Sequence, residues 1–276
     1  MFDKEAIEAL QEGEAISKAA NSIALAIEGG EAVTALPDHF KLQDLEAFLP
    51  NRRRARGLMT THALSDFAEY TKKHAEDGAT VFVDADEMSA IAVLNLGSFE
   101  KPGHTDNRAK VQLKATAAYS ALKAVASGRG ISQAVAAEFL EDWPGYVQCF
   151  NEEGEVSMPK AIAAIRKLTI EAMRKLESSE QSLSASRSAF EQVKATSADP
   201  IPTTIYFTCE PYFGLESRQF VLRLGVQTGG EKPAITLRVV KQEQHDEDMA
   251  NEFADLAREA LGSALPVLIG SYNSRG

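Results

Sequence analysis

Residues 80–113, TVFVDADEMSAIAVLNLGSFEKPGHTDNRAKVQL, alternate apolar with other positions at Val81 and Val83, at Ala90, Ala92 and Leu94, and at Val111 and Leu113. A two-residue period belongs to strands and is incompatible with a helix. Three such segments in close succession, 80–84, 90–96 and 108–114, predict an antiparallel meander with a tight turn over 84–89 and a longer loop over 97–107. Those two connections hold the densest chemistry in the chain: Asp84, Asp86 and Glu87 in the first, His104 and Asp106 in the second, with Arg108 just beyond.

On either side of this block the period changes to that of helices. Over 3–28, Ile7, Leu10, Ile16, Ala20, Ile23 and Ile27 return at mostly three- and four-residue steps, with Asp3 as a cap and Gly29-Gly30 as a stop. A helix is expected from Thr60 or Thr61 to about 75, and two more over 116–127 and 132–143, separated by Gly128-Arg129-Gly130. From 157 to about 196 a nearly glycine-free helix carries a 4,3 seam through Ile165, Thr169, Ala172, Leu176, Ser179, Leu183, Ser186, Phe190 and Val193. Thr169, Ser179 and Ser186 make that seam too polar for a self-sufficient coiled coil. It is read either as an arm joining subunits through Ile165, Ala172, Leu176, Leu183, Phe190 and Val193, or as a helix packed on its own fold.

Beyond Pro200-Ile201-Pro202 come strands over 203–209, 218–228 and 234–241, a helix over 247–261 and a short closing strand at 266–269. The expected fold class is therefore α+β, with antiparallel meander sheets flanked by helices and one long central helix. The expected division is an N-terminal half at 1–150, a helical connector at 151–200, and a C-terminal sheet plus helix at 201–276.

Composition narrows the function classes. No apolar run reaches the roughly 20 residues of a membrane span, and the N-terminus lacks a signal segment, so cytoplasmic residence without membrane association is expected. A net charge of -11 restricts nucleic-acid binding to a local basic patch. Cys149 and Cys209 have no ligand spacing and are expected as reduced, packed thiols. Neither GxGxxG, GxxxxGK[ST] nor GxSxG occurs, so no cofactor is expected and a serine nucleophile is disfavoured.

Three constellations remain open. Arg52, Arg53, Arg54 and Arg56, with Arg108, either grip phosphates as a nucleic-acid or anion site or form a connector paired with carboxylates. Asp84, Asp86, Glu87, His104 and Asp106 can serve a metal-dependent phosphoesterase or nuclease if their loops share one end of the meander; otherwise they are turn residues. No metal is assigned. Arg218, Arg223 and Arg238 lie in or beside strands and take either an anionic ligand or cross-strand ion pairs. The aromatic group Tyr206, Phe207, Tyr212 and Phe213 is read as core and subunit packing rather than base stacking.

The order LPDHFKLQDLEAFLP, RRRARG, TVFVDADEMSAIAVLN, PGHTDNRAKVQL, PYFGLESRQFVLRLGV and PVLIGSY resembles the YfdQ-like family of phage and prophage proteins over almost the full length. That resemblance implies a phage-borne accessory protein in the bacterial host cytoplasm and supplies no catalytic residues. The expectation is self-assembly into a homo-oligomer and binding, with a host defence or DNA-metabolism component as partner, rather than catalysis. Nucleic-acid binding through the Arg52–Arg56 cluster and metal-dependent hydrolysis are the alternatives.

Overall fold

The computed structural model describes residues 4–29, 46–167, 201–227 and 234–273, which divide into two compact units, Met1–Ala55 and Arg56–Gly276. The first holds helix α1 (Lys4–Gly29) and a 3-10 turn at Glu46–Phe48. Lys4 pairs with Glu8 and Lys18 with Glu14, one helical turn apart, while Ile7, Leu10 and Leu25 are exposed.

The second unit begins with β1 (Gly57–Thr61), α2 (Leu64–His74), β2 (Thr80–Asp84), β3 (Ser89–Val93) and β4 (Asn107–Gln112). It continues with α3 (Ala117–Val125), α4 (Gln133–Asp142), β5 (Val147–Asn151), β6 (Gly154–Val156) and α5 (Met158–Lys167). After 201 come β7 (Thr204–Cys209), β8 (Arg218–Gln227), β9 (Ala234–Val239), α6 (Gln242–Leu261) and β10 (Val267–Ile269).

These strands make two five-stranded sheets, ordered β1-β4-β3-β2-β10 and β6-β5-β7-β8-β9. The α+β class and the meander β2-β3-β4 are as the alternation predicts. Cross-strand pairing sets Val81 opposite Ala92, Val83 opposite Ala90 and Ala90 opposite Val111, all buried, so one face of the meander is a layer of small apolar side chains. Two parallel edges flank it: β1 pairs β4, and β10 returns from the far end of the chain to pair β2. The second sheet is antiparallel throughout, and its buried face carries Ile205, Phe207, Phe220, Leu222, Ile235 and Leu237. Buried side chains of both sheets and of α2 to α6 join one continuous core.

Local signals explain most helix boundaries. The Thr116 and Ser132 hydroxyls accept from the backbone N–H of Tyr119 and Val135 and cap α3 and α4. The helix expected from Thr60 or Thr61 starts instead at Leu64, because residues 57–61 are claimed by parallel pairing with β4; the Thr61 hydroxyl accepts from the N–H of Ala63 in the turn between. Of the long helix expected over 157–196, only α5 is described. Ile165 is buried in the chain's own core, whereas Ala172, Leu176, Leu183, Phe190 and Val193 lie outside the described residues.

Candidate functional site

A meander turns alternately at its two ends, which separates the two groups of chemistry. The turn carrying Asp84, Asp86 and Glu87 joins β2 to β3 where Asp84 faces Ser89; the loop carrying His104 and Asp106 joins β3 to β4 where Val93 faces Arg108. The length of β3, about 13 Å at strand rise, lies between them. Among the described residues no group of three or more His, Cys, Asp and Glu is placed to hold a metal ion.

Each group has a structural partner. Asp84 Oδ1 accepts from the backbone N–H of Asp86 and of Glu87, both at 3.1 Å, which is how an aspartate closes a tight turn. In the loop, Asn95 is the hub: its Nδ2 donates to Asp106 Oδ1 at 2.9 Å and its Oδ1 accepts from the N–H of buried Asn107 at 3.1 Å. Arg108 Nε donates to the Thr105 carbonyl at 2.6 Å, and its guanidinium carbon stands 5.9 Å from the centre of the Tyr272 ring. Arg56 directly precedes Gly57, whose N–H donates to the Asp106 carbonyl at 2.8 Å. Arg52 and Arg53 are exposed in the first unit, and the backbone N–H of Arg53 donates to the Glu46 carboxylate at 3.3 Å.

Those bonds brace a projecting tip. Gly97 and Pro102 form a bridge, the N–H of Ser98 donates to the Lys101 carbonyl at 3.0 Å, and the N–H of Gly103 donates to the Leu96 carbonyl at 2.8 Å. The backbone packs so closely that a Cβ on Gly103 would lie 1.9 Å from the Asn95 carbonyl oxygen. At the tip Phe99 is fully exposed. The sequence signal was an aromatic in an otherwise polar turn, S-F-E-K-P-G, overlooked beside the titratable residues.

The other end of the meander lines a cleft of about 500 Å³, with Asp86 and Met88 on one side and Tyr119, Lys123 and Tyr212 on another. The segment after β7 is stapled to the start of α3: the N–H of Thr116 donates to the Pro211 carbonyl at 3.0 Å and its hydroxyl to the Glu210 carbonyl at 2.6 Å. That brings the Tyr119 and Tyr212 rings to 5.5 Å, with Lys123 Nζ 4.9 Å from the first ring centre and 5.6 Å from the second. The opening turns of α6 close the cleft with Gln242, Glu243, Asp246 and Glu247, and Gln242 Nε2 donates to Asp246 Oδ1 at 2.8 Å. Burial, reinforced by the Asp246 carboxylate, raises both phenols above the usual tyrosine value, so they stay protonated. Beside the cleft, burial and then the Arg218 guanidinium lower His245, whose ring lies 4.8 Å from that of Phe220. The arrangement gathers protonated phenols, aromatic rings, a lysine and carboxylates around one cleft.

Two further expectations are resolved. Cys149 and Cys209 are free and buried, and burial pushes their thiols up to about 12 and about 11. Arg218 forms an ion pair with Glu252 of α6, whereas Arg223 and Arg238 stand directly opposite one another on β8 and β9.

Fold and site together define an α+β protein of two mostly antiparallel sheets whose polar clusters at the ends of the meander close turns and loops. Residues 3–272 match the family described as "Uncharacterized conserved protein (DUF2303)", and the chain belongs to that family. No curated protein and no solved structure matches it. No helix among the described residues is long and apolar enough to cross a membrane.

Proposed function

We propose that this protein is a phage- or prophage-encoded accessory factor that works by stoichiometric association, assembling with copies of itself and engaging a host or phage protein. The observation that carries this reading is Phe99: a fully exposed ring on a loop whose backbone is fixed by Asn95, Gly97 and Gly103. An aromatic held out on rigid backbone loses little conformational entropy on docking and is a typical interface anchor. The engagement of Asp84 and Asp106 in turn and loop hydrogen bonds supports association over catalysis. The exposed Ile7, Leu10 and Leu25 of α1 offer a second apolar surface. Phage context rests on the order of sequence motifs.

The test is the particle mass by light scattering or native mass spectrometry over a range of concentrations. A discrete closed oligomer is expected for the native chain. Phe99→Ser should lower the mass, or leave it unchanged while abolishing co-purification of a defined partner. A monomer at every concentration, with no defined partner lost on that substitution, overturns the reading.

A further inference from the structure

The second sheet has an open face whose chemistry the core does not explain. Across four adjacent strands the register aligns Phe150 with Thr204, Thr204 with Arg223, and Arg223 with Arg238. All four point away from the face that buries Ile205, Leu222 and Leu237, and both arginines are exposed. In the next row Tyr206 lies opposite Val221, and its ring meets that of Phe150 edge-on at 5.1 Å.

Two guanidiniums directly opposite each other on neighbouring strands repel, and such a pair weakens a sheet unless a counter-charge lies between or beside them. Among the described residues neither Arg223 nor Arg238 has an ion-pair partner, in a chain with 40 acidic residues against 29 lysines and arginines. Arg218, on the same strand as Arg223, has its carboxylate in Glu252, so the sheet does pair an arginine where the fold calls for it. The Arg223–Arg238 pair is therefore open to an anion from outside.

We infer that this face binds single-stranded nucleic acid, with Arg223 and Arg238 on backbone phosphates and Phe150 and Tyr206 against bases. The row from Phe150 to Arg238 spans about 14 Å at the usual strand spacing, room for a short run of nucleotides. Aromatic faces beside a basic track accept any base, whereas a free phosphate would have no use for the two rings. A duplex hides its bases and would leave the rings idle. The inference differs from the reading of Arg52–Arg56 as a phosphate grip, and it does not depend on self-assembly.

Fluorescence anisotropy of a labelled oligothymidylate with the full chain tests it, comparing Arg223→Gln/Arg238→Gln, Tyr206→Leu and Arg52→Gln/Arg53→Gln. The Arg223/Arg238 substitution removes a repulsion, so its melting temperature should match or exceed that of the native chain and loss of binding cannot be blamed on unfolding. Expected are affinity at least about tenfold weaker and a salt dependence flatter by about 1.4 in log–log slope, two single-strand phosphate contacts at roughly 0.7 each. Tyr206→Leu should weaken binding with the salt slope unchanged, and Arg52→Gln/Arg53→Gln should leave it as it was. The inference is overturned if the oligonucleotide does not bind, or if the Arg223/Arg238 variant binds it normally. It is equally overturned if only the Arg52/Arg53 variant fails, or if a duplex or a phosphopeptide of equal charge competes as well as the single strand. Particle mass, measured in parallel, reports separately on assembly.

Discussion

The ammonium of Lys123 lies 4.9 Å from the centre of the Tyr119 ring, on the same helix one turn away, with the ring itself buried. The polar end of an exposed lysine thus rests against the aromatic wall of the cleft instead of extending into water. Lys123→Met should cost about 0.5–1 kcal/mol, the worth of an exposed cation–π contact, less what the methionine recovers by packing. Urea denaturation with an unchanged m-value measures it.

Asp84 offers a direct separation of turn closure from catalysis. Asp84→Asn retains the oxygen that accepts from Asp86 and Glu87 and should alter stability little, whereas Asp84→Ala should lose about 1 kcal/mol. A metal-ligating or proton-transferring role makes the opposite demand, since Asn would then be as damaging as Ala in any activity assay. Thermal melts of the two variants test the turn-closing role, which is refuted if Asn destabilises as much as Ala.

Asn95 and Gly103 should be the sensitive points of the Phe99 loop. Asn95→Ala leaves the buried Asn107 N–H without its acceptor and is expected to cost about 1–3 kcal/mol. Gly103→Ala forces a Cβ against the Asn95 carbonyl oxygen and should cost about 1–3 kcal/mol or more, because the obstacle is backbone and cannot rotate away. Hydrogen exchange should place the loss at residues 95–107, with α4 and the second sheet unaffected.

The buried thiols set an alkaline limit. Cys149 and Cys209 are pushed up to about 12 and about 11 in the folded chain, from an ordinary value of 9.0. Between those values the unfolded chain has released a proton that the folded chain keeps, so stability is complete below about pH 9 and falls as pH rises toward 11 to 12. Each thiol contributes a slope of up to about 1.4 kcal/mol per pH unit in that window, and the raised phenols of Tyr119 and Tyr212 act in the same direction from about pH 10. Denaturant midpoints from pH 7 to 11 read the slope. A thiol reagent at pH 8 should label neither cysteine in the native chain and both in urea.

Much of the architecture was legible because its signals are local. The alternation at Val81–Val83 and Ala90–Ala92 fixed two strands and the buried face between them, and Thr116 and Ser132 marked helix starts through their own hydroxyls. The strand at 57–61 was not legible: five residues, two of them threonines, read equally well as the approach to a helix, and their partner β4 lies fifty residues further on. The hairpin of β5 and β6 was missed although Asn151-Glu152-Glu153-Gly154 is a turn composition, because the apolar alternation at Val147 and Cys149 is so short. Helix α6 begins at Gln242 and not near 247, since its first turns, Q-E-Q-H-D-E-D, have almost no apolar period of their own. Arg223 and Arg238 were candidates for ion pairing until the register set them against each other.

By itself the sequence determined the secondary structure of the meander, of the C-terminal strands and of the capped helices, since those depend on residue period and on hydrogen bonds spanning a few residues. It also determined which side chains carry chemistry in residues 80–113. Where that chemistry goes was decided only by tertiary structure. Antiparallel pairing sends Asp84 and Asp106 to opposite ends of β3, where each is held by a structural hydrogen bond, while the cleft at Tyr119 and Tyr212 and the Arg223–Arg238 row bring together segments apart in the chain.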